Sequence, residues 1–254
     1  MEPGEMILLP VLPVVFYLFG YSRIAFVFAG FGVQAAYMFY RGARLGRLPI
    51  IGPHDTLYFL SFAIVLFALP MTFGMKDRSR HLFPMLMLSV LFVLLSLFFP
   101  PHAGPLPPVL KTFWFEAHVT LSFFAYALFG IAAVLGGVFL ASGRNKNKGR
   151  AEGPGDATAE ALQYKAILVG YCLFSAAMVF GGIWAYYAWG TYWLWTPKEL
   201  WTVILWLFYS LYLHARLRQW WMGRPSAILG IIGFVIVLFT YLGVSLLMKS
   251  SHSF

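Results

Sequence analysis

The sequence WAYYAWGTYWLWTPKELW, residues 184–201, is the most aromatic stretch of the chain. It contains five tryptophans and three tyrosines, and Gly190 and Pro197 interrupt any long helix. Apolar runs lie on both sides, so this aromatic stretch is predicted to join two membrane helices at the interface, where Trp and Tyr are enriched. Two interpretations fit it: an aromatic belt at the membrane surface, or a platform for a flat aromatic ligand.

The composition predicts an all-α, polytopic integral membrane protein. The chain has 254 residues, of which 61% are hydrophobic and 11% charged, whereas soluble domains carry about 25% charged residues. About 20 apolar residues are needed to cross a bilayer, so the charge-free apolar segments predict about eight transmembrane helices. These segments are 6–21, 24–40, 57–73, 82–99, 119–141, 166–186, 201–215 and 226–247.

The whole chain, 1–254, is predicted to be one transmembrane domain, because the loops are too short to hold a soluble domain. Within it, 1–40 is predicted to be an N-terminal hydrophobic hairpin and 41–254 the core. The net charge of +9 indicates basic cytoplasmic loops rather than a nucleic-acid-binding surface. The single cysteine, Cys172, excludes a disulfide or a cysteine metal cluster within the chain.

Basic residues predict the orientation. Three basic loops are expected on the cytoplasmic side, and the longest, Gly-rich and polar, is predicted to be flexible; they are 74–81, 142–165 and 216–225. Alternation then puts 100–118, the aromatic stretch and the C-terminal tail outside. Three arginines near the end of the second span disagree with this arrangement: Arg41, Arg44 and Arg47.

The end of the aromatic stretch predicts the N-terminus of a helix. Thr196 suits the N-cap, Pro197 the first helical position, and Glu199 the third, which together form a capping box. This explains Glu199 without a ligand. The positive end of the helix dipole would also favour an anionic group beside the grouped indoles, and a porphyrin with propionates is both aromatic and anionic.

Three of the six histidines are candidate ligands. Under the predicted orientation His118 and His252 lie on the same side as the tryptophans, and His214 lies on the opposite side. Imidazole is the usual protein ligand of haem iron, and a pair on different helices can approach opposite faces of the ring. Solvent exposure remains the simpler interpretation of His252, which is the third residue from the end of the sequence.

The other three histidines have plainer interpretations. His54 stands beside Asp55 before the third span and is expected to form an interfacial pair with it. His81 and His102 are expected to be solvated in loops.

WGTYWLWTPKELW resembles the tryptophan-rich WWD motif of the CcsA/ResC family of cytochrome c biogenesis proteins (system II). The resemblance continues through YLHAR, SAILGIIGF and YLGVSLLMKSSHSF. Upstream, HVTLSFFAYALFG is similar to another family segment, and LGRLP…DTLYFLSF resembles a weaker one. The resemblance therefore covers roughly 40–254. The intact PKELW ending favours this family over other WWD-motif haem-handling proteins.

The resemblance implies an external haem b site with His118 and His252 as axial ligands of its iron. It also implies that His214 helps to bind haem within the membrane, with a counterpart from a partner subunit. Four tryptophans of the motif are expected to face the external haem: Trp184, Trp189, Trp193 and Trp195.

The implied function is haem transport across the membrane and presentation to apocytochrome c for covalent attachment at CxxCH on the outer face. The chain would be a subunit of a cytochrome c synthase (haem lyase-type) complex, without covalent chemistry of its own. The implied partners are a CcsB/ResB-like membrane subunit, apocytochrome c and, indirectly, a thioredoxin-like thiol reductant. The bacterial cytoplasmic membrane is the expected location, and a thylakoid membrane is the less favoured alternative.

The sequence departs from the family pattern at several positions. Thr196 replaces the acidic residue of WDPKE, residues 185–187 replace "ANE", and Met248 and Ser250 replace glycines before the last histidine. Thr and Asp are both good N-caps, so the helix start should survive. These departures leave two alternatives open: a haem-handling or export protein without synthase activity, and a HemX-like non-catalytic membrane scaffold.

Overall fold

A computed structural model describes residues 9–73, 75, 77–146, 154–218 and 221–244. Within these residues the chain is helical, with eight α-helices, a short 3₁₀ helix, a π-helix and no strand. The predicted all-α class is therefore confirmed. The α-helices are α1 (Leu12–Phe19), α2 (Ile24–Leu45), α3 (Pro53–Thr72), α4 (Arg78–Ser96), α5 (Phe113–Lys146), α6 (Pro154–Trp189), α7 (Pro197–Arg216) and α8 (Arg224–Leu238). The 3₁₀ helix is Pro108–Leu110, and the π-helix Phe239–Gly243 continues α8.

Six of the helices are long and apolar enough to cross a membrane, which confirms a polytopic membrane protein. The two remaining predicted spans correspond to α1 and α7. With eight residues, α1 is about 12 Å long and shorter than a bilayer core. The 20-residue α7 is long enough, but it starts with Lys198 and Glu199 and contains Trp, Tyr and His, which lower its mean hydropathy.

The chain divides into two compact units, Met1–Leu106 (unit 1) and Pro107–Phe254 (unit 2). Unit 1 contains α1 to α4, and unit 2 contains the 3₁₀ helix, α5 to α8 and the π-helix. The prediction of one transmembrane domain over the whole chain stays a prediction.

A close helix contact and a buried polar chain hold unit 1 together. A Cβ on Gly30 of α2 would lie 2.8 Å from Cε1 of Tyr17 and 2.9 Å from Cβ of Phe16, so only glycine allows α1 this close. The Tyr17 hydroxyl donates to Gln34 Oε1 (2.6 Å), and Gln34 Nε2 donates to Ser61 Oγ (2.9 Å). Helices α1, α2 and α3 are thus joined by buried groups that satisfy one another.

A buried ion pair joins α2 to α3. Nη2 of Arg41 lies 2.9 Å from Oδ2 of Asp55, whose side chain is 1% exposed, and also donates to the carbonyl of His102 (3.2 Å). Removing the carboxylate would leave the guanidinium buried without its counter-ion, which costs far more than losing a surface pair.

The expected pair between His54 and Asp55 is wrong, because adjacent residues on a helix do not face each other. The His54 ring is buried, with Nδ1 3.0 Å from the carbonyl of Ser96 and Nε2 3.2 Å from the Tyr37 hydroxyl. The expectation of a solvated His81 is also wrong, because the residue lies in the first turn of α4 and is 1% exposed.

His102 follows α4 outside any helix, but its Nε2 is buried, so the expected solvated ring is not observed.

The predicted flexible loop at 142–165 is wrong over most of its length. Helix α5 continues to Lys146, and α6 begins at Pro154, a residue suited to the first turn. Residues 158–163 are rich in good helix formers, so α6 extends beyond its apolar part although its sequence there is polar. Glu160 then accepts hydrogen bonds from Nη1 of Arg216 (2.7 Å) and the amide of Gly223 (2.6 Å), which ties both ends of the α7–α8 connection to α6.

Helix α7 starts with both hydrogen bonds of a capping box. The Thr196 hydroxyl accepts from the amide of Glu199 (3.4 Å), and Oε2 of Glu199 accepts from the amide of Thr196 (2.9 Å). Oε2 of Glu199 accepts a second hydrogen bond, from the amide of Leu194 (3.0 Å). One carboxylate, 9% exposed, therefore satisfies the helix start and the loop before it.

We expect Asp55→Ala to lower the free energy of unfolding by about 3 kcal/mol, because it leaves the mostly buried guanidinium of Arg41 without its counter-ion. Replacing both partners, Arg41→Met with Asp55→Leu, should recover most of the loss. Thermal unfolding in detergent measures both effects. Asp77→Ala is the control, since Asp77 is exposed and its side chain does not cap α4. Equal midpoints for Asp55→Ala and the control would contradict the assignment.

We expect Glu199→Ala to cost about 1–3 kcal/mol, because two amides lose their acceptor. Glu199→Gln should cost less, since glutamine also completes a capping box. The matched control is Glu116→Ala, which removes a first-turn glutamate of α5 with no side-chain hydrogen bond in the described part of the chain. Unfolding midpoints in detergent rank the three variants, and a Glu116→Ala loss as large as that of Glu199→Ala would refute the special role of Glu199.

Candidate functional site

The aromatic stretch comprises the end of α6, a non-helical loop at 190–196 and the start of α7. The loop leaves α6 at Gly190, whose φ of 75° suits glycine, and ends near Trp195, whose φ of 56° is unusual for a bulky residue. The amides of Leu194 and Thr196, the residues before and after Trp195, both donate hydrogen bonds to the Glu199 carboxylate. The Trp195 side chain is 69% exposed, so the strain holds a large aromatic surface outside the packed helices.

Trp184 differs from the other candidate tryptophans because it is packed inside unit 2. It is 3% exposed, and its indole N–H donates to the carbonyl of Val109 (2.9 Å). Its ring meets Trp189 edge to face at 4.9 Å and lies 5.3 Å from Phe115. These contacts pin the 3₁₀ helix and the start of α5 to the end of α6.

Trp189, Trp193 and Trp195 keep exposed surface. Trp193 and Trp195 form an edge-to-face pair with ring centroids 6.3 Å apart. The indole N–H of Trp193 is buried, and no hydrogen-bond acceptor for it is present among the described residues. Such a donor is costly to leave unmet, so it is suited to an acceptor supplied by a ligand or water.

His118 lies beside the aromatic stretch. Its Nδ1 is 2.8 Å from the carbonyl of Ala177 on α6. A Cβ on Gly181 would touch the imidazole at 2.6 Å, and a Cβ on the next residue, Gly182, would lie 3.6 Å from the carbonyl of Tyr192. The imidazole and the aromatic loop therefore lie against neighbouring residues of α6.

The carbonyl of Ala177 determines the chemical state of His118. A carbonyl only accepts, so Nδ1 must carry the proton, and the neutral ring then has its lone pair on Nε2. Nε2 forms no hydrogen bond within the described residues. The side chain therefore presents an unprotonated nitrogen suited to a metal.

Lys198 adds a positive charge at the same helix start. It is half-buried at the second position of α7, and it forms no ion pair within the part of the chain that the structure describes. Burial lowers the pKa of Lys198 from its ordinary value by disfavouring the charged form. An anion bound beside it would oppose this effect.

His214 lies far from this group, near the other end of α7, a helix about 30 Å long. Its Nδ1 donates to the carbonyl of Ser210 (3.0 Å), and its ring is exposed. The face that carries it also exposes four aliphatic residues at spacings of four and three: Leu200, Ile204, Leu207 and Leu211. His214 thus lies on a surface open to lipid or another helix. Its Nδ1, rather than Nε2, forms the hydrogen bond to its own helix.

His252 lies outside the described residues, so its predicted role as the second ligand stays a prediction. No group of three His, Cys, Asp or Glu suited to a metal occurs among the residues described. His118 is therefore the one candidate ligand that the described residues bring to the aromatic stretch.

The sequence alone did not indicate the part of α6 that contacts His118. Neither Ala177 nor Gly181 attracts attention in the run SAAMVFGGIW, because small residues are common in apolar helices. It also missed two polar contacts between α6 and α7. Tyr171 meets Ser210 (2.8 Å, hydroxyl to hydroxyl), and the Trp206 indole donates to Ser175 Oγ (2.9 Å).

Comparison with known proteins identifies the family. The profile of the family described as Cytochrome C assembly protein matches residues 53–252. The chain is 30% identical to the cytochrome c biogenesis protein CcsA of Prochlorococcus marinus (strain MIT 9312), over 85% of this chain and 79% of the relative. It is 33% identical to CcsA of Chlamydomonas reinhardtii, over 84% of this chain and 63% of the relative.

A third relative, CcsA of Crocosphaera subtropica, is 30% identical over 84% of this chain and 82% of its own length. The match covers all of α3 and α4 and unit 2 up to residue 252, and thus includes every described candidate residue. The chain belongs to the cytochrome c assembly protein family and is similar to its CcsA members.

Proposed function

We propose that this protein takes part in cytochrome c maturation by moving haem b across a membrane and presenting it to apocytochrome c. The haem is its cargo, held at an external site and attached there to the thiols of CxxCH. The observation that carries the proposal is the position of His118, whose ring lies against α6 next to the aromatic stretch with Nδ1 bonded to the carbonyl of Ala177, which leaves Nε2 for a metal.

The residues at this site fit a porphyrin. Trp193 and Trp195 offer flat indole surfaces on which part of a porphyrin can stack. Trp195 is held exposed by a strained backbone. The half-buried ammonium of Lys198 and the orphaned N–H of Trp193 suit the carboxylates of the propionates. In this proposal His252 supplies the second axial nitrogen from the opposite face of the ring.

The role of the chain is to hold and orient. Each thiol S–H adds across one vinyl group of the haem, forming a thioether with no net oxidation or reduction. This requires reduced thiols, for which a thioredoxin-like reductant would be responsible. Holding vinyl groups next to thiols accelerates such an addition by proximity and orientation.

We further propose that His214 receives haem within the membrane together with a CcsB/ResB-like subunit. Its exposure on a leucine-rich face of α7 leaves room for a second helix to supply the other ligand. Haem would then pass from the end of α7 that carries His214 to the end that carries the capping box. The bacterial cytoplasmic membrane, with the aromatic stretch outside, is the proposed location, and a thylakoid membrane is the alternative.

A variant of the same role, haem handling without synthase activity, is favoured by one observation. Thr196 keeps the helix cap but has no charge where the family has an acidic residue. Thr196→Asp distinguishes the two. If the chain has synthase activity, a strain that relies on it should mature cytochrome c with either residue at this position. If Thr196 has removed that activity, maturation should be absent in that strain and Thr196→Asp should restore it.

We expect His118→Ala, alone or with His252→Ala, to remove the external haem's contribution to the low-spin, six-coordinate spectrum of the purified complex. Added imidazole should restore it in His118→Ala, because the free ligand can take the position of the lost side chain. His81→Gln is the control, since His81 is a buried histidine of α4 that is not a candidate ligand. Wild-type haem content and ligation in the double variant would refute the external site.

We expect His214→Ala to separate delivery from external binding. Haem b added to the purified protein should still give the wild-type spectrum, because the external site is unaltered. Haem made by the cell should not reach that site, so the protein should be isolated with little haem. Full haem loading in vivo would contradict a role for His214 in delivery.

A further inference from the structure

We propose that Gly181 is a positioning residue for His118, the external haem ligand. Because Gly181 has no side chain, it leaves room against α6 for the His118 ring and so fixes the orientation of that ring. This inference rests on the proposed function of His118 as an iron ligand. It adds that one face of α6, formed by the carbonyl of Ala177 and the missing side chain of Gly181, decides which nitrogen meets the iron and where it lies.

The contact between the ring and α6 is closer than any side chain would permit. An ideal Cβ on Gly181 would lie 2.6 Å from Nδ1 of His118, 2.8 Å from Cε1 and 3.2 Å from Cγ. Non-bonded carbons approach to about 3.5–4.0 Å at their optimum, so a methyl group at this position would force the ring to move.

The ring cannot move without losing its hydrogen bond. Ala177 and Gly181 are one helical turn apart, so the carbonyl that accepts from Nδ1 (2.8 Å) and the open surface of Gly181 are adjacent on the same face. A ring pushed away from Gly181 moves away from that carbonyl as well. The lone-pair nitrogen then loses both its direction and the bond that determines the tautomer, a type of contact that usually tunes a metal ligand.

A general need for close helix packing does not account for this glycine. Small residues often allow two helix backbones to approach. At Gly181, however, the three nearest atoms all belong to the His118 ring and none to the backbone of α5. The first atoms that a side chain at this position would meet therefore belong to the imidazole.

The neighbouring glycine supplies a matched control. A Cβ on Gly182 would meet nothing closer than the carbonyl of Tyr192 at 3.6 Å, an ordinary contact. Both glycines lie within α6, so Gly→Ala at either position gains a similar amount of helix propensity. The two variants then differ in the clash with His118.

The experiment compares Gly181→Ala, Gly182→Ala, His118→Ala and the double variant His118→Ala/Gly181→Ala in the full-length protein, purified with its membrane partner and titrated with haem b. Optical spectra, the reduction potential and thermal unfolding are recorded for each. We expect Gly181→Ala to weaken haem binding about 10-fold and to shift the spectrum towards high spin, with recovery on adding imidazole. Gly182→Ala should resemble the wild type.

The double variant isolates the mechanism. If Gly181 acts through the imidazole, adding Gly181→Ala to His118→Ala should change haem binding no further and should change the unfolding midpoint only as much as Gly182→Ala does in the wild type. Should Gly181→Ala alone fail to fold, recovery of folding in the double variant would support the same clash, since the ring is then absent. Failure of both to fold would mean that the glycine serves helix packing, and would overturn the proposal.

The outcomes also separate this inference from the proposed function. Wild-type spectra in Gly181→Ala, together with loss of haem in His118→Ala, would overturn the positioning role and leave the external site intact. Wild-type spectra in His118→Ala would overturn the external site itself.

Discussion

The carboxylate of Glu199 is the interaction on which the candidate site depends. It accepts hydrogen bonds from two amides of the loop and, with Thr196, completes the start of α7. The carboxylate is buried, and these amides supply the hydrogen bonds that water would otherwise have to provide. Because both bonds lie beside Trp195, they hold that residue in a left-handed conformation and keep its ring exposed. The aromatic surface is therefore a consequence of how a helix begins.

The described histidines of unit 2 differ in how they are held. His118 is fixed by a carbonyl of the neighbouring α6, with its ring in a space left by a glycine. His214 is bonded only to its own helix and lies on an exposed face. A ligand that must present haem to a protein thiol benefits from a rigid position. A ligand completed by another subunit benefits from an open one, so the two environments agree with the two proposed roles.

The sequence predicted correctly whatever depends on local composition and short-range spacing. Apolar length gave the helical membrane class, and the order Thr196, Pro197, Glu199 gave the capping box with its partners. It failed where polarity was taken to mean a loop, since α6 begins at Pro154 within the segment expected to be flexible. It failed again for His54 and Asp55, which bond in different directions because neighbours on a helix diverge.

By itself, the sequence determined a helical membrane protein, a helix start at Thr196 and a tryptophan-rich stretch before it, because these depend on composition and on residues within a few positions. Only the tertiary structure decided that Trp184 is a packed anchor whereas Trp195 is exposed, and that His118 meets α6 59 positions along the chain. Such contacts depend on which faces of distant helices pack together, and apolar helices of similar composition do not specify those faces.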